Sequence, residues 1–339
     1  MSLLSGIGRG LALLLVAAVM GGAARAEPVQ VQIGYIPILA ATPLLVIDAE
    51  GWAAKEGLTL KLIRFESGPA AIQAMAAGKI DVMYAGVAPV VVARGSGADI
   101  VVVANAAVEE LALIARGDLA AAAKGRSGKE AIDKLFADKG RKIRIATQPG
   151  GSVPDTILRY WLQKVAKVDP AKVEVLGMGI DKTQQALLAG AVDAAMVREP
   201  AITIVRQQDP QAVVLSAGND MFPGQPGTVV AARQAFLNEH HEAAATLVRL
   251  HLRAMDLIAQ DRPRAARAAQ EYLGKGLVEP AITERALSSL SSKFVGDPHL
   301  IVEPVERLQA FEKELGVVSE TVPTAQVFDF SLYNAAVGK

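Results

Sequence analysis

The sequence contains no cysteine among its 339 residues. That absence excludes a thiol nucleophile and a cysteine-built zinc site. It also leaves no thiol to carry a lipid anchor behind an export signal. A chain of this length can build cores large enough to do without disulfides. Histidine is nearly as scarce, and none of the four residues precedes His240. No Ser/His/Asp constellation can therefore be drawn through the first two-thirds of the chain. His241-Glu242 opens like an HExxH zinc motif, but Ala245 stands where the second histidine belongs. His240 and His241 read as solvated residues at a helix start. Gly95-Ser96-Gly97 lacks the lysine and the spacing of a phosphate loop. Charge of either sign is balanced, with 35 Lys and Arg against 35 Asp and Glu. With no basic run either, nothing points to nucleic acid. Aromatic residues make up only 4%, which argues against a large stacked heterocycle as ligand. No metal, cofactor or catalytic residue is expected.

What is present begins with a leader. Arg9 supplies a positive start, and Leu11 to Met20 is an apolar run too short to cross a bilayer. Ala24-Arg25-Ala26 has the small-x-small pattern of a cleavage site. Residues 1–26 are therefore expected to be a signal peptide cut after Ala26, releasing a chain that starts at Glu27 into the periplasm. No later stretch is long and apolar enough to span a membrane.

The rest of the chain repeats itself at a separation of 112 positions. Gln73-Ala74-Met75-Ala76-Ala77-Gly78-Lys79-Ile80-Asp81 is echoed by Gln185-Ala186-Leu187-Leu188-Ala189-Gly190-Ala191-Val192-Asp193. Each copy reads as a helix end, a glycine stop, and an Asp leading into a strand. Upstream, strand-like Val31 to Tyr35 matches Ile143 to Thr147. Two β-α-β-α-β units follow, and with them two lobes, each a mostly parallel sheet flanked by helices. Ligands of open α/β sheets bind beyond the carboxyl ends of the strands, so a cleft between the lobes is the expected site.

In the first unit strands are expected at Val29 to Tyr35, Leu58 to Phe65, Ile80 to Tyr84 and Ile100 to Val103. Helices are expected from Pro43 to about Ala54, Pro69 to Ala77 and Pro89 to Arg94. In the second, strands at Leu111 to Ala115, Ile143 to Ala146, Val173 to Leu176 and Val192 to Val197 are joined by Val213 to Ser216 and Thr228 to Ala231. Its helices are Val153 to Ala166 and Lys182 to Leu188, opened by capping boxes Ser152-x-x-Asp155 and Asp181-x-x-Gln184. Ala120 to Gly128 and Asn219 to Gly227 read as loops. After Arg233 the pattern is helical, notably His241 to Gln260. The expected division is lobe one at 27–108 and 234–339, and lobe two at 109–233.

The helix starts share a chemistry. Thr42-Pro43, Ser67-Gly68-Pro69, Gly86-Val87-Ala88-Pro89 and Gly150-Gly151-Ser152 each offer backbone N–H groups just past a strand. Singly, each is an ordinary cap. Aimed together into one cleft they would hold a small anion. Arg198-Glu199-Pro200 closes the last repeated strand. Arg198 is placed to clamp a carboxylate or sulfonate, or to pair internally with Glu199. Tyr35 closes the first strand, either against the ligand or in half-buried packing. The candidate ligand-binding residues are Tyr35, Thr42, Ser67, Gly68, Gly86, Val87, Ala88, Gly151, Ser152, Arg198 and Glu199.

Several motifs also resemble those of a known family. They are Gly34-Tyr35-Ile36-Pro37, Ala49-Glu50-Gly51-Trp52, Glu56-Gly57-Leu58, Ser67-Gly68-Pro69, Ala77-Gly78-Lys79-Ile80-Asp81, Gly86-Val87-Ala88-Pro89, Lys139-Gly140-Arg141-Lys142-Ile143, Ala189-Gly190-Ala191-Val192-Asp193-Ala194 and Glu199-Pro200. In this order they resemble the periplasmic solute-binding proteins of nitrate/sulfonate/taurine-type (NitT/TauT) ABC importers, more weakly beyond Arg233. The resemblance implies a type II periplasmic-binding-protein fold, with a ligand cleft between the lobes. It implies a monomer whose closed form docks on a membrane permease driven by an ATPase. It implies ligand contacts near Tyr35, Ser67, Gly86 to Ala88, Ser152 and Arg198-Glu199. Many relatives carry an aromatic residue where this chain has Arg198. Other members of the fold serve sensors or catalyse pyrimidine or sulfinate chemistry. The catalytic ones depend on Cys or His, which this chain lacks in the repeated region.

Overall fold

The computed structural model describes residues 27–273 and 278–339. The expected signal peptide lies outside the described residues. Two five-stranded sheets organise the chain. The first is built from β1 (Val29–Tyr35), β2 (Leu58–Arg64), β3 (Val82–Gly86) and β4 (Ile100–Asn105). A two-residue strand, β5 (Ala107–Val108), leads out of it. The second sheet holds β6 (Ala112–Ala115), β7 (Ile143–Thr147), β8 (Val173–Gly177), β9 (Ala194–Val197) and β10 (Val213–Ala217). The chain then returns through β11 (Thr228–Arg233), and β12 (Lys293–Phe294) later pairs with β5.

The sheet orders are β2-β1-β3-β11-β4 and β8-β7-β9-β6-β10. They are the same order once the repeat is allowed for. In each, three strands run parallel, and the fourth neighbour is antiparallel. That antiparallel strand is the one that follows a crossing from the other sheet. Thr228 to Ala231 was expected in the second sheet, and this is corrected: β11 lies between β3 and β4 in the first. Its residues through Ala232 are buried, and an apolar run buried on both faces carries no mark of which sheet it joins.

Local departures have local causes. The helix expected from Pro43 breaks at Gly51, which takes φ 62°, giving Thr42–Ala49 and Trp52–Lys55. The helix from Val153 ends at Tyr160 and loosens into a π-turn over Trp161–Val165. Part of the loop expected at Ala120 to Gly128 is helical, over Gly117–Ala122. The box expected at Asp181-x-x-Gln184 is not formed, because the helix Ile180–Leu188 starts two residues earlier with Gly179 as its uncapped N-cap.

The helices after Arg233 pack chiefly on the first sheet's outer face. There Tyr35, Leu44, Leu45 and Trp52 share a core with Leu247, Val248 and Leu250 of His241–Gln260. Each such side chain taken out of water contributes about 1.5–3 kcal/mol. Strand β4 is an edge strand with every residue buried. The tail covers it: Asp329 N donates to Val102 O at 2.9 Å. An apolar edge left open would be a template for aggregation. A second core continues between the sheets, from Val90 and Val91 through Val153 and Ile157 to Val305 and Leu308. The two lobes are thus in contact.

Candidate functional site

The carboxyl ends of the parallel strands of both sheets face a cavity of about 450 Å³. The first sheet contributes Pro37, Ile38 and Arg64. The second contributes Gln148, Met196, Val197, Arg198 and Glu199, and the tail adds Val278 and Ile282. The lobes meet around it. Leu39 N donates to Glu199 O at 2.9 Å, and Ile180 N donates to Glu66 O at 3.0 Å. Arg64 binds Glu66 on its own side and Asp181 across the cleft, the latter at 2.7 Å.

Arg198 and Glu199 do not pair with each other. Successive side chains at a strand end point to opposite sides. Glu199 folds onto its own helix, Ala201–Gln208, and accepts from Thr203 N at 3.0 Å and Thr203 Oγ1 at 3.1 Å. Burial raises its pKa, against the lowering effect of hydrogen bonds from Ser289 and Thr203. Arg198 turns the other way, where its Nε lies 2.9 Å from Glu110 Oε1. Both side chains are 3% exposed. Thr228 Oγ1 stands 2.9 and 3.1 Å from the two Glu110 oxygens. Burial raises the Glu110 pKa, opposed by Arg198 and by the Thr228 hydroxyl. Burial lowers the Arg198 pKa, opposed by Glu110. Arg198 Nε and Nη2 are both buried without a hydrogen bond of good geometry, Nε meeting Glu110 as an ion pair. Nη2 lies 3.6 Å from where a Cβ on Gly86 would sit.

Gly86 precedes the helix Val87–Gly95 as an N-cap with no side chain to cap it. A Cβ there would lie 2.6 Å from Val153 Cγ2 of the facing lobe. Val87 and Ala88 are fully buried in the core that joins the lobes. Ser67 caps Gly68–Ala76 by accepting from Ala70 N at 3.3 Å. Gly68 lies against Pro89. Ser152 caps Val153–Tyr160 through Asp155 N at 3.4 Å, and Gly151 takes φ 76° before it. Thr42 is not the cap expected of it. A 3-10 turn over Leu39–Ala41 makes Ala41 the N-cap, and the Thr42 hydroxyl donates to Leu39 O at 2.6 Å. Tyr35 packs in the outer core beside Leu44, Leu45 and Trp52. Of the eleven candidates, Arg198 and Glu199 line the cavity.

Sequence reasoning missed Glu110, Thr228 and Gln148. Glu110 and Thr228 stand at the two crossings between the sheets. An acidic pair, Glu109-Glu110, just before an apolar strand was the available signal. Gln148 follows β7 and is 4% exposed, the position a ligand contact takes beyond a strand end.

The sequence pattern of the NMT1-like family matches residues 24–274. The chain belongs to the NMT1-like family. A binding protein of Brucella abortus is 28% identical over 243 residues, covering 70% of each chain. Two solved structures share the fold. The periplasmic nitrate-binding protein NrtA of Synechocystis PCC 6803 superposes with a TM-score of 0.75 at 14% identity, over 92% of this chain and 89% of that one. The ligand-binding component of an ABC-type import system from Staphylococcus aureus gives 0.74 at 17%, over 91% and 99%. At such identities the likeness is one of fold: this NMT1-like chain has the two-lobed periplasmic-binding-protein architecture. No helix among the described residues is long and apolar enough to cross a membrane, and no group of three or more His, Asp or Glu there is placed to hold a metal ion.

Proposed function

We propose that this NMT1-like protein is the solute-binding component of an ABC importer. Exported to the periplasm, it captures a small solute between its lobes and presents the closed form to a membrane permease coupled to an ATPase. It binds and releases its solute without changing it. The observation that carries this reading is the buried Arg198, a residue of the interlobe cavity wall whose Nη2 has no hydrogen-bond partner in the protein. A buried donor left unpaired is costly, and a solute oxygen would satisfy it. The fold and the nitrate-binding neighbour support an anionic group, sulfonate- or carboxylate-like. On this reading lobe one comprises 27–108 together with β11 and the tail, and lobe two comprises the second sheet and its helices.

Calorimetric titration with ethanesulfonate, propionate and nitrate tests it, using Arg198→Lys. Lysine keeps a charge for Glu110 but cannot reproduce the planar fork. Affinity for the best-bound anion is expected to fall roughly tenfold, with a small change in melting temperature. Unchanged affinity would remove Arg198 from the site. Arg198→Ala is the poorer probe, because it strands Glu110 as a buried unpaired charge and is expected to cost about 3–5 kcal/mol of stability.

A further inference from the structure

We infer that Glu110 is a specificity-determining residue of the cleft, which by holding and neutralising Arg198 biases the site against small inorganic anions and toward organic ones. The inference rests on the reading of the cavity as an anion-accepting solute site. Glu110 is 3% exposed and forms an ion pair on the Nε side of Arg198, where neither Nε nor Nη2 has a hydrogen-bond partner and Nη2 lies beside Gly86.

The seat of Glu110 is built. Thr228 Oγ1 lies within hydrogen-bond distance of both its oxygens. Gly227 leaves room for it, since a Cβ there would stand 3.1 Å from the Glu110 Cδ and 2.5 Å from Ala107 O. Glu110 and Thr228 flank the two crossings between the sheets, so the guanidinium is anchored to the part of the molecule that both lobes share.

The consequence is electrostatic. A lone buried guanidinium attracts any small anion. With a carboxylate on its far edge the pair has no net charge, and an incoming anion is drawn by Arg198 and repelled by Glu110 a few ångströms beyond. Arg198 then offers a directed donor with little net field. The remaining attraction must come from the walls, where Pro37, Ile38, Pro154, Ile180, Met196 and Ile204 face the cavity. At about 450 Å³ the space is in the range of organic ligands. Nitrate fills little of it, whereas an alkyl sulfonate touches those walls.

The test is calorimetric titration of nitrate and of butane-1-sulfonate into the wild type, Glu110→Gln and Glu110→Asp. Glu110→Gln keeps the shape and removes the opposing charge. Its nitrate affinity is expected to rise roughly tenfold, and its butanesulfonate affinity by about threefold or less, because wall contacts do not change. Glu110→Asp draws the carboxylate back by one methylene. It is expected to shift the nitrate-to-butanesulfonate ratio the same way by a smaller factor, and it serves if the Gln variant does not fold. Binding of both probes with an unchanged ratio, or a ratio shifted the other way, would overturn the role of Glu110 while leaving the cleft an anion site. Binding of neither probe by any of the proteins would overturn the anion reading of the cleft, and this inference with it.

Discussion

The two halves of the molecule share a frame and differ in what they hang on it. Asp81 accepts from Gln32 N at 2.9 Å, and 112 residues later Asp193 accepts from Arg144 N at 2.8 Å. Asp81 pairs with Arg233 at 2.5 Å, and Asp193 with Arg141 at 2.7 Å. Each aspartate ties the turn before its strand to the neighbouring strand. At the strand ends the likeness stops. Gly86 and Val87 of the first lobe correspond to Arg198 and Glu199 of the second. At this position one lobe packs a glycine against the facing lobe, and the other brings charged side chains to the cavity. A duplicated frame can thus hold one asymmetric ligand, because the frame is made by buried residues and the site by the few that end each strand.

The tail after Arg233 has no counterpart in the second half, and it gives the largest expected break in the symmetry. Glu312, on the helix Val302–Glu314, crosses to the second lobe, where Thr156 Oγ1 donates to its Oε1 at 3.0 Å. Its other oxygen is buried without a partner. Burial raises its pKa from 4.5 to about 8, the Thr156 hydrogen bond opposes the rise, and nearby Asp155 adds to it. The folded chain therefore holds a proton that the unfolded chain releases near pH 4.5. This contribution to stability is full below that pH and is lost as pH rises toward 8. The loss across the window is on the order of 4 kcal/mol. Denaturant unfolding at pH 5 and pH 8 should show it, and Glu312→Gln should flatten the slope and stabilise the protein at pH 8. A Gln variant as steep as the wild type would place the titration elsewhere.

A smaller effect separates contacts within a lobe from contacts between lobes. A Cβ on Gly68 would sit 2.7 Å from Pro89 Cγ in the same lobe, and one on Gly86 would sit 2.6 Å from Val153 Cγ2 in the other. The first clash cannot be relieved without distorting one core, so Gly68→Ala is expected to cost about 1–3 kcal/mol of stability. The second is relieved by parting the lobes. Gly86→Ala should therefore keep most of its stability, weaken solute binding and give a larger radius of gyration by small-angle scattering. Equal losses of stability with unchanged dimensions would mean that the lobes do not part.

The frame was legible in the sequence because its signals are local. Gly78 and Gly190 were read as helix stops and take φ values of 70° and 68°. Strands β1 and β7 fall where alternation placed them, and the helix His241–Gln260 has the bounds its pattern set. The pairings were not legible, because they join residues far apart in the chain. Nothing near Arg198 points to a partner at Glu110. Its neighbour Glu199 looked like one only until the strand's alternation was taken into account. Strand β11 is apolar from Val229 to Ala232, so its pattern fitted either sheet. Tyr35 shows the same limit from another side. Its place at a strand end suggested the cleft, while its ring belongs to the outer core.

The smallest expected effect concerns the contact that closes the cleft mouth. The repeat sets the starts of the helices Gly68–Ala76 and Ile180–Leu188 opposite each other. Arg64 lies between them, bound to Glu66 on one side and Asp181 on the other. The Arg64 side chain is 27% exposed and that of Asp181 49%, so solvent screens the pair and its worth is about 0.2–1 kcal/mol. Arg64→Gln should leave the melting temperature of each lobe's core unchanged. It should lower solute affinity by about fivefold at most, because a ligand that favours the closed form loses affinity as that form becomes less populated. Screening distinguishes this from direct contact with the solute. A shared surface charge pair fades as ionic strength rises, so the affinities of wild type and variant should converge at about 1 M sodium chloride, where the Debye length is roughly 3 Å. A difference that persists undiminished at high salt would mean that Arg64 touches the solute itself, and the first lobe would then bring a charged contact to the site as the second does.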